Sequence, residues 1–257
     1  MVEGLEALSN MEYPGGFIIL GKDGQLNGVI IYGITGRSPP SQARRLVFDD
    51  AGERIFVEPT DPKLLEEGDP DLLLYDAIKF TPLGNVVGNG KQTDTIYEFL
   101  SLSSLAEVVT PQSITTALTE GTAEWTYEPD KPNNTPRISG VADDSRYGTL
   151  GIIRKGPGSL PERQFFSFPL FEGSGKLIST YTGENVNPLP PFIGEPLNVQ
   201  LFGKTAEENA TAVYNALRPD NPNNDFRVAV AAVHYEIKDS ISRSGRKDVY
   251  IINRHDS

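Results

Sequence analysis

Few residues in this chain could do chemistry. It has two histidines, His234 and His255, and no cysteine. Thiolate nucleophiles, disulfides, zinc–thiolate sites and iron–sulfur clusters are therefore excluded together. The two histidines are too far apart to make a metal pair on one helix, and H-E-x-x-H does not occur. His234 closes an apolar stretch and reads as structural, while His255 lies at a chain end expected to fray. There is no G-x-S-x-G, so a serine-hydrolase elbow is not expected. Gly90-Lys91-Gln92 and Gly203-Lys204-Thr205 each lack the upstream glycine of a nucleotide triphosphate loop. Three polar clusters remain. Residues 36–45 (GRSPPSQARR) carry Arg37, Arg44 and Arg45 among Ser and Gln, a composition that suits bidentate binding of phosphate or carboxylate and equally suits a solvated loop. Residues 88–95 (GNGKQTDT) offer Asn89, Gly90, Thr93 and Asp94 ahead of a helix, either as an anion and base site or as a turn with its N-cap. Tyr127-Glu128 lies near Asn133, Asn134 and Arg137; alone, such a pair reads as surface.

The elements that must position these clusters are mostly strands. Residues 16–21 (GFIILG) and 28–35 (GVIIYGIT) are β-branched runs around KDGQLN, whose Asp-Gly predicts a hairpin. Residues 45–48 and 54–57 read as further strands, and 71–80 (DLLLYDAIKF) fits helix or strand. Residues 93–107 predict a helix capped by Thr93 or Asp94, followed by a second over 113–119. Strands return at 137–142, 147–154, 164–168 and 177–181 before a proline-rich loop at 187–196. Residues 205–217 (TAEENATAVYNAL) are the clearest helix, opened by a Thr-x-x-Glu capping box, and strands at 226–233 and 249–252 follow. With no internal repeat or long linker, this order predicts one α+β domain of antiparallel sheets covered by helices.

Composition narrows the partners. The 257 residues include 35 Asp and Glu against 23 Lys and Arg, a formal net charge of -12. That balance speaks against nucleic acid or an anionic membrane surface, which need a basic footprint, but leaves room for a small anionic ligand met by a few local cations. No stretch reaches the roughly 20 apolar residues of a membrane span, and the first residues lack a signal-peptide pattern, so a cytoplasmic location is expected. Nothing calls for a cofactor or metal, and a homo-oligomer is left open.

Taken in order, the clusters resemble the archaeal-type IMP cyclohydrolase family. The resemblance runs from Tyr13-Pro14-Gly15-Gly16 through Gly36-Arg37-Ser38, Leu74-Tyr75-Asp76, Asn89-Gly90 with Thr93-Asp94-Thr95-Ile96, and Tyr127-Glu128. It continues with Asn134-Thr135-Pro136-Arg137-Ile138, Ser179-Thr180-Tyr181 and the Ala206-Glu207-Glu208 helix, to about Leu217. It implies a four-layer αββα sandwich similar to the N-terminal-nucleophile hydrolases, with residues 13–257 as the domain and residues 1–12 as a dispensable extension.

The activity so implied is the last step of purine synthesis: formamidoimidazole carboxamide ribonucleotide closes its second ring and loses water to give IMP. Attack is intramolecular, so the protein must hold a reactive rotamer, move protons, stabilise the formyl oxygen and grip a phosphate. By the resemblance, Tyr75, Glu128 and Arg37 are catalytic: Glu128 for proton transfer, Tyr75 as donor to the formyl oxygen, Arg37 at the head of the arginine loop. Arg44, Asn89, Gly90, Thr93, Asp94 and Arg137 would bind the purine ribonucleotide. Arg37 or Arg44 would bind the anionic group; many relatives carry arginine where this chain has Gln42, with Arg44 and Arg45 close by, which leaves open which arginine takes that family role. Two rivals share the scaffold. A nucleotide-binding protein without catalysis could dispense with Tyr75 and Glu128, and an amide hydrolase would need a processed Ser, Thr or Cys at its first residue.

Overall fold

The computed structural model describes residues 3–65, 67–81, 83–102, 111–143, 147–236 and 247–256. Its elements in order are α1 (Glu6–Ser9), β1 (Gly16–Lys22), β2 (Gly28–Thr35), α2 (Pro39–Gln42), β3 (Arg44–Phe48), β4 (Arg54–Pro59), α3 (Pro62–Leu65), α4 (Pro70–Leu73), β5 (Asp76–Thr81) and β6 (Gly84–Gly88). Then come α5 (Gln92–Leu102), α6 (Pro111–Gly121), β7 (Arg137–Ala142), β8 (Tyr147–Lys155), β9 (Pro161–Pro169), β10 (Ser174–Ser179), β11 (Leu197–Gln200), α7 (Ala206–Ala216), β12 (Arg227–Tyr235) and β13 (Lys247–Asn253). The strands form two sheets, β11-β10-β1-β2-β12-β13 and β3-β4-β5-β6-β7-β8-β9. Every neighbouring pair is antiparallel.

Alternation along β1 shows why the sheets stack. Ile18 and Leu20 join Ile30, Tyr32, Leu46, Ile55, Ile78 and Ile138 in a core between the two sheets. Phe17 and Ile19, on the opposite face, pack with Ala206, Ala210 and Val213 of α7. The second sheet turns Val86 and Val141 outward under Ile96 and Leu100 of α5 and Ile114 and Leu118 of α6. A strand buried on both faces must be apolar at every position, which is why these strands read as continuous runs. Helices therefore cover both outer faces, giving the expected four layers, helix, sheet, sheet, helix. No helix among the described residues is long and apolar enough to cross a membrane.

Several local expectations need correction. Residues 71–80 are neither helix nor strand throughout: Asp69 caps Asp71 N at 3.0 Å to start α4, and β5 begins only at Asp76. Helix α5 starts at Gln92, ahead of both expected caps, and Thr93 turns its hydroxyl back to Gly90 O at 2.8 Å; its expected extension to residue 107 lies outside the described residues from 103 on. Thr205 does cap α7 by accepting from Glu208 N at 3.1 Å, but Glu208 accepts from Lys204 N at 2.7 Å rather than closing the box on Thr205. Residues 3–12 are docked on the rest of the fold. Leu5, Leu8 and Met11 are buried in the core under α7, and Gly4 O accepts from Gln200 N of β11 at 2.8 Å. Three apolar side chains held by a helical turn keep this segment docked.

Candidate active site

One end of the β1–β2 hairpin opens into a cavity of about 680 Å³. Gly15 and Gly16 precede or begin β1, Ile34 and Thr35 end β2, and all four line it. Gly15 takes φ +71°, and a Cβ there would come within 2.8 Å of the Tyr181 ring. The Pro14-Gly15-Gly16 turn thus needs glycine for backbone conformation and for close approach. Around this turn the cavity gathers Arg37 after β2, Arg44 at the start of β3, Tyr75 before β5, Asn89 after β6, Glu128 and Asp130 before β7, and Tyr181 after β10. Residues far apart in sequence meet because both sheets end there.

Glu128 is buried, with its carboxylate 3.3 Å from Arg137 Nη1. Burial pushes its pKa up to about 8, against the downward pull of Arg137 and Arg44. Tyr75 is also buried, and its hydroxyl lies 2.6 Å from that of Tyr32. Burial raises the Tyr75 phenol above its ordinary range, opposed by the Arg44 charge and the Tyr32 hydrogen bond, so it remains protonated near neutrality.

The two cations of the cavity are placed differently. Arg37 stacks over the Tyr13 ring, 5.0 Å from its centroid, and donates to Asn185 Oδ1 at 3.0 Å and Val186 O at 3.1 Å. Arg44 is buried and donates from Nε to Ser41 O at 2.8 Å. Neither forms an ion pair with a carboxylate among the described residues. Arg45, one residue on, turns away to pair with Glu58. Gln42 holds the loop by donating to Gly36 O at 3.0 Å.

The remaining expected ligands stand around this cavity rather than in it. Asn89 reaches its wall, but its amide is spent on Pro136 O, Thr180 Oγ1, Ile138 N and Gln92. Arg137 sits behind Glu128, fixed by Thr126 O at 3.0 Å and Gln92 Oε1 at 3.1 Å. Gly90 makes room for it, since a Cβ there would lie 2.5 Å from Arg137 Nη1. Thr93 is fully buried, and Asp94 is 2.8 Å from Lys79. Neither lines the cavity. Conversely, Asp130, Thr135 and Tyr181 line the cavity and Tyr32 stands behind Tyr75, and sequence reasoning gave none of the four a role. Thr135 and Tyr181 lie in quoted motifs; Tyr32, inside an apolar strand, carries no signal beyond core. Among the described residues no three His, Asp or Glu side chains cluster as a metal site.

Two arginines with no carboxylate partner among the described residues, a buried carboxyl with a pKa of about 8 and a tyrosine hydroxyl pair can bind an anion, move a proton and donate to a developing oxyanion. Comparison with known proteins agrees in kind. Over 76% of this chain and 84% of its own length, a protein of Methanococcus maripaludis (strain S2 / LL) named IMP cyclohydrolase is 30% identical. A second of that name, from Methanocella arvoryzae, is 29% identical over 66% of this chain and 74% of its own. Among solved structures, Anbu from Hyphomicrobium sp. strain MC1 aligns at 13% identity over 93% of this chain and 88% of that one, with a TM-score of 0.33, a likeness too slight to carry an argument. The IMP cyclohydrolase-like protein family matches residues 13–239, and the chain belongs to that family.

Proposed function

We propose that the cavity binds formamidoimidazole carboxamide ribonucleotide and closes it to IMP with loss of water. Its carboxamide nitrogen attacks the formyl carbon of the same molecule, so positioning supplies much of the rate. Glu128 in its ionised form takes a proton from the attacking nitrogen. Tyr75 donates to the formyl oxygen as charge gathers there, its own oxygen held by the Tyr32 hydroxyl at 2.6 Å. Glu128 then returns that proton to the oxygen, the bond from the former formyl carbon to it breaks, and it leaves as water together with the proton of the formamide nitrogen, so that the new ring becomes aromatic. Arg37, which lines the cavity and is half-buried, takes the phosphate. This moves Arg37 from the reacting groups to the anion clamp. Arg44, deeper and beside Tyr75, keeps positive potential over the developing oxyanion. Arg137 orients Glu128, and Gly90, Gln92 and Thr93 support that wall from behind.

The observation that carries this reading is the pairing of two arginines lacking carboxylate partners with a buried carboxyl whose pKa is about 8, all in one cavity. Absorbance at the purine band, followed with purified protein and the formylated ribonucleotide, tests it. Turnover well above the spontaneous rate, persisting in chelator, is expected. No acceleration over the uncatalysed closure would refute the reading.

A further inference from the structure

One wall of the cavity has an ordered chain of hydroxyl protons that ring closure itself does not require. Asp130 accepts twice from Thr135: Oδ1 from the backbone N–H at 2.6 Å, and Oδ2 from the side-chain hydroxyl. The Thr135 hydroxyl has one proton, and the carboxylate takes it. Its oxygen also lies 2.6 Å from the Tyr181 hydroxyl. With the Thr135 proton spent, the contact forms only if Tyr181 donates. Tyr181, which lines the cavity, then has its own proton committed to the protein, and its oxygen is left as an acceptor. Burial holds the Tyr181 phenol far above its ordinary range, so this proton stays in place. No other described residue donates to that oxygen.

The position of Tyr181 says which donor it meets. Its ring stacks on Tyr13 at 5.8 Å between centroids, and Tyr13 carries the Arg37 guanidinium at 5.0 Å. Tyr181 is therefore one ring inward from Arg37, and on its other side Thr135, whose carbonyl accepts from Glu128 N at 2.8 Å, leads on to Glu128. In a nucleotide spanning this distance, the sugar lies between phosphate and base. Resting on the proposed function above, we infer that Tyr181 accepts a hydrogen bond from a ribose hydroxyl of the substrate, and that Asp130 and Thr135 are positioning residues that fix its polarity. In the same cavity Tyr75 is the counterpart, a hydroxyl that gives its proton. The pair would make the site selective for ribonucleotides.

Competing turnover of the formylated ribonucleotide against its 2′-deoxy and 3′-deoxy forms tests this. Wild type should disfavour one deoxy form by at least about tenfold in kcat/KM, the scale of one lost hydrogen bond. Tyr181→Phe should slow the ribonucleotide and leave the deoxy form nearly unchanged, erasing the discrimination. Thr135→Val keeps the Tyr181 oxygen but frees its proton, and should lose most of the discrimination; Thr135→Ser should retain it. If wild type closes all three substrates with equal kcat/KM, the inference is overturned while the proposed function stands. It is also overturned if Tyr181→Phe slows ribo and deoxy substrates equally, which would mark a structural role. Discrimination surviving in Thr135→Val would overturn the proton ordering. Absence of turnover with the ribonucleotide itself would instead remove the proposed function.

Discussion

The β1–β2 hairpin carries a buried polar network at each end, and the two are built on opposite plans. At the turn, Asp23 accepts from Gln25 N and Asn27 N at 2.8 Å each and from the Asn27 side chain at 2.8 Å. His234 Nδ1 lies 3.3 Å from Asp23 Oδ2, and Nε2 lies 2.8 Å from Asn209 Nδ2. Burial lowers the His234 pKa, which the Asp23 charge opposes, so the ring is neutral at neutral pH, donating to Asp23 and accepting from Asn209. Asp23 and both nitrogens of the ring are satisfied. At the other end Arg37 and Arg44 have no carboxylate partner among the described residues, and Glu128, beside Arg137, has a pKa displaced to about 8. A closed buried network ties strands to α7; an open one is held ready for a ligand. Burial alone does not separate the two, since Asp23, His234, Arg44 and Glu128 are all buried. What separates them is that Asp23 and His234 complete their hydrogen bonds inside the protein, whereas Arg37 and Arg44 meet no carboxylate among the described residues.

The largest effect should come from the open end. Glu128→Gln keeps size and removes the base, and should lower kcat by roughly 10²-fold or more with KM little changed. Tyr75→Phe should cost a comparable factor, about 10², if its hydroxyl meets the formyl oxygen. Steady-state kinetics of both would break the comparison if each kept wild-type kcat. Arg37→Ala should raise KM about tenfold or more with a smaller change in kcat, because a clamp on the phosphate binds ground and transition states alike. Arg44→Ala should move both constants, since Arg44 also acts on Tyr75.

The closed end should answer in stability alone. His234→Ala leaves Asp23 and Asn209 short of a partner and should destabilise by about 1–3 kcal/mol in urea unfolding, with kcat and KM unchanged. An equal loss of activity would show the two ends to be coupled. Leu8→Ala should likewise cost about 2–5 kcal/mol, the range for a fully buried leucine. Removing residues 1–12 should destabilise the fold further, and a truncated chain of unaltered stability would contradict the docking of α1.

The same contrast governs what the sequence makes legible. Strands β1, β2, β7 and β12 are readable because both faces are buried and the side chains announce it. Strand β6 escapes notice because Gly84 and Gly88 bound it and its place is given by neighbours β5 and β7, not by its own residues. Strand β11 hides behind a proline-rich run in the same way. At the site, Arg37, Tyr75 and Glu128 are found through short motifs, but periodicity cannot say that Arg44 turns inward while Arg45 turns to Glu58. Nor does any pattern reveal that Asn89 and Arg137 are consumed by the protein's own groups. Tyr32 is indistinguishable from a core aromatic until its hydroxyl is seen against Tyr75.

The central claim is that Glu128, raised by burial, is the proton acceptor for ring closure. A carboxyl with its folded-state pKa raised from 4.5 to about 8 is mostly protonated at neutrality and ionises as pH climbs through about 8. The catalytic base therefore appears on the alkaline side, while the stability that the neutral, buried form contributes is fully present below pH 4.5 and is lost as pH climbs from there to about 8. The most direct measurement is kcat/KM for ring closure from about pH 6 to about pH 9, in wild type and in Glu128→Gln. The account predicts that wild-type kcat/KM rises with pH and levels off above a midpoint near 8, and that the variant is slower and flat across the range. An identical rising limb in both proteins, or a wild-type profile that falls through pH 8, would contradict it.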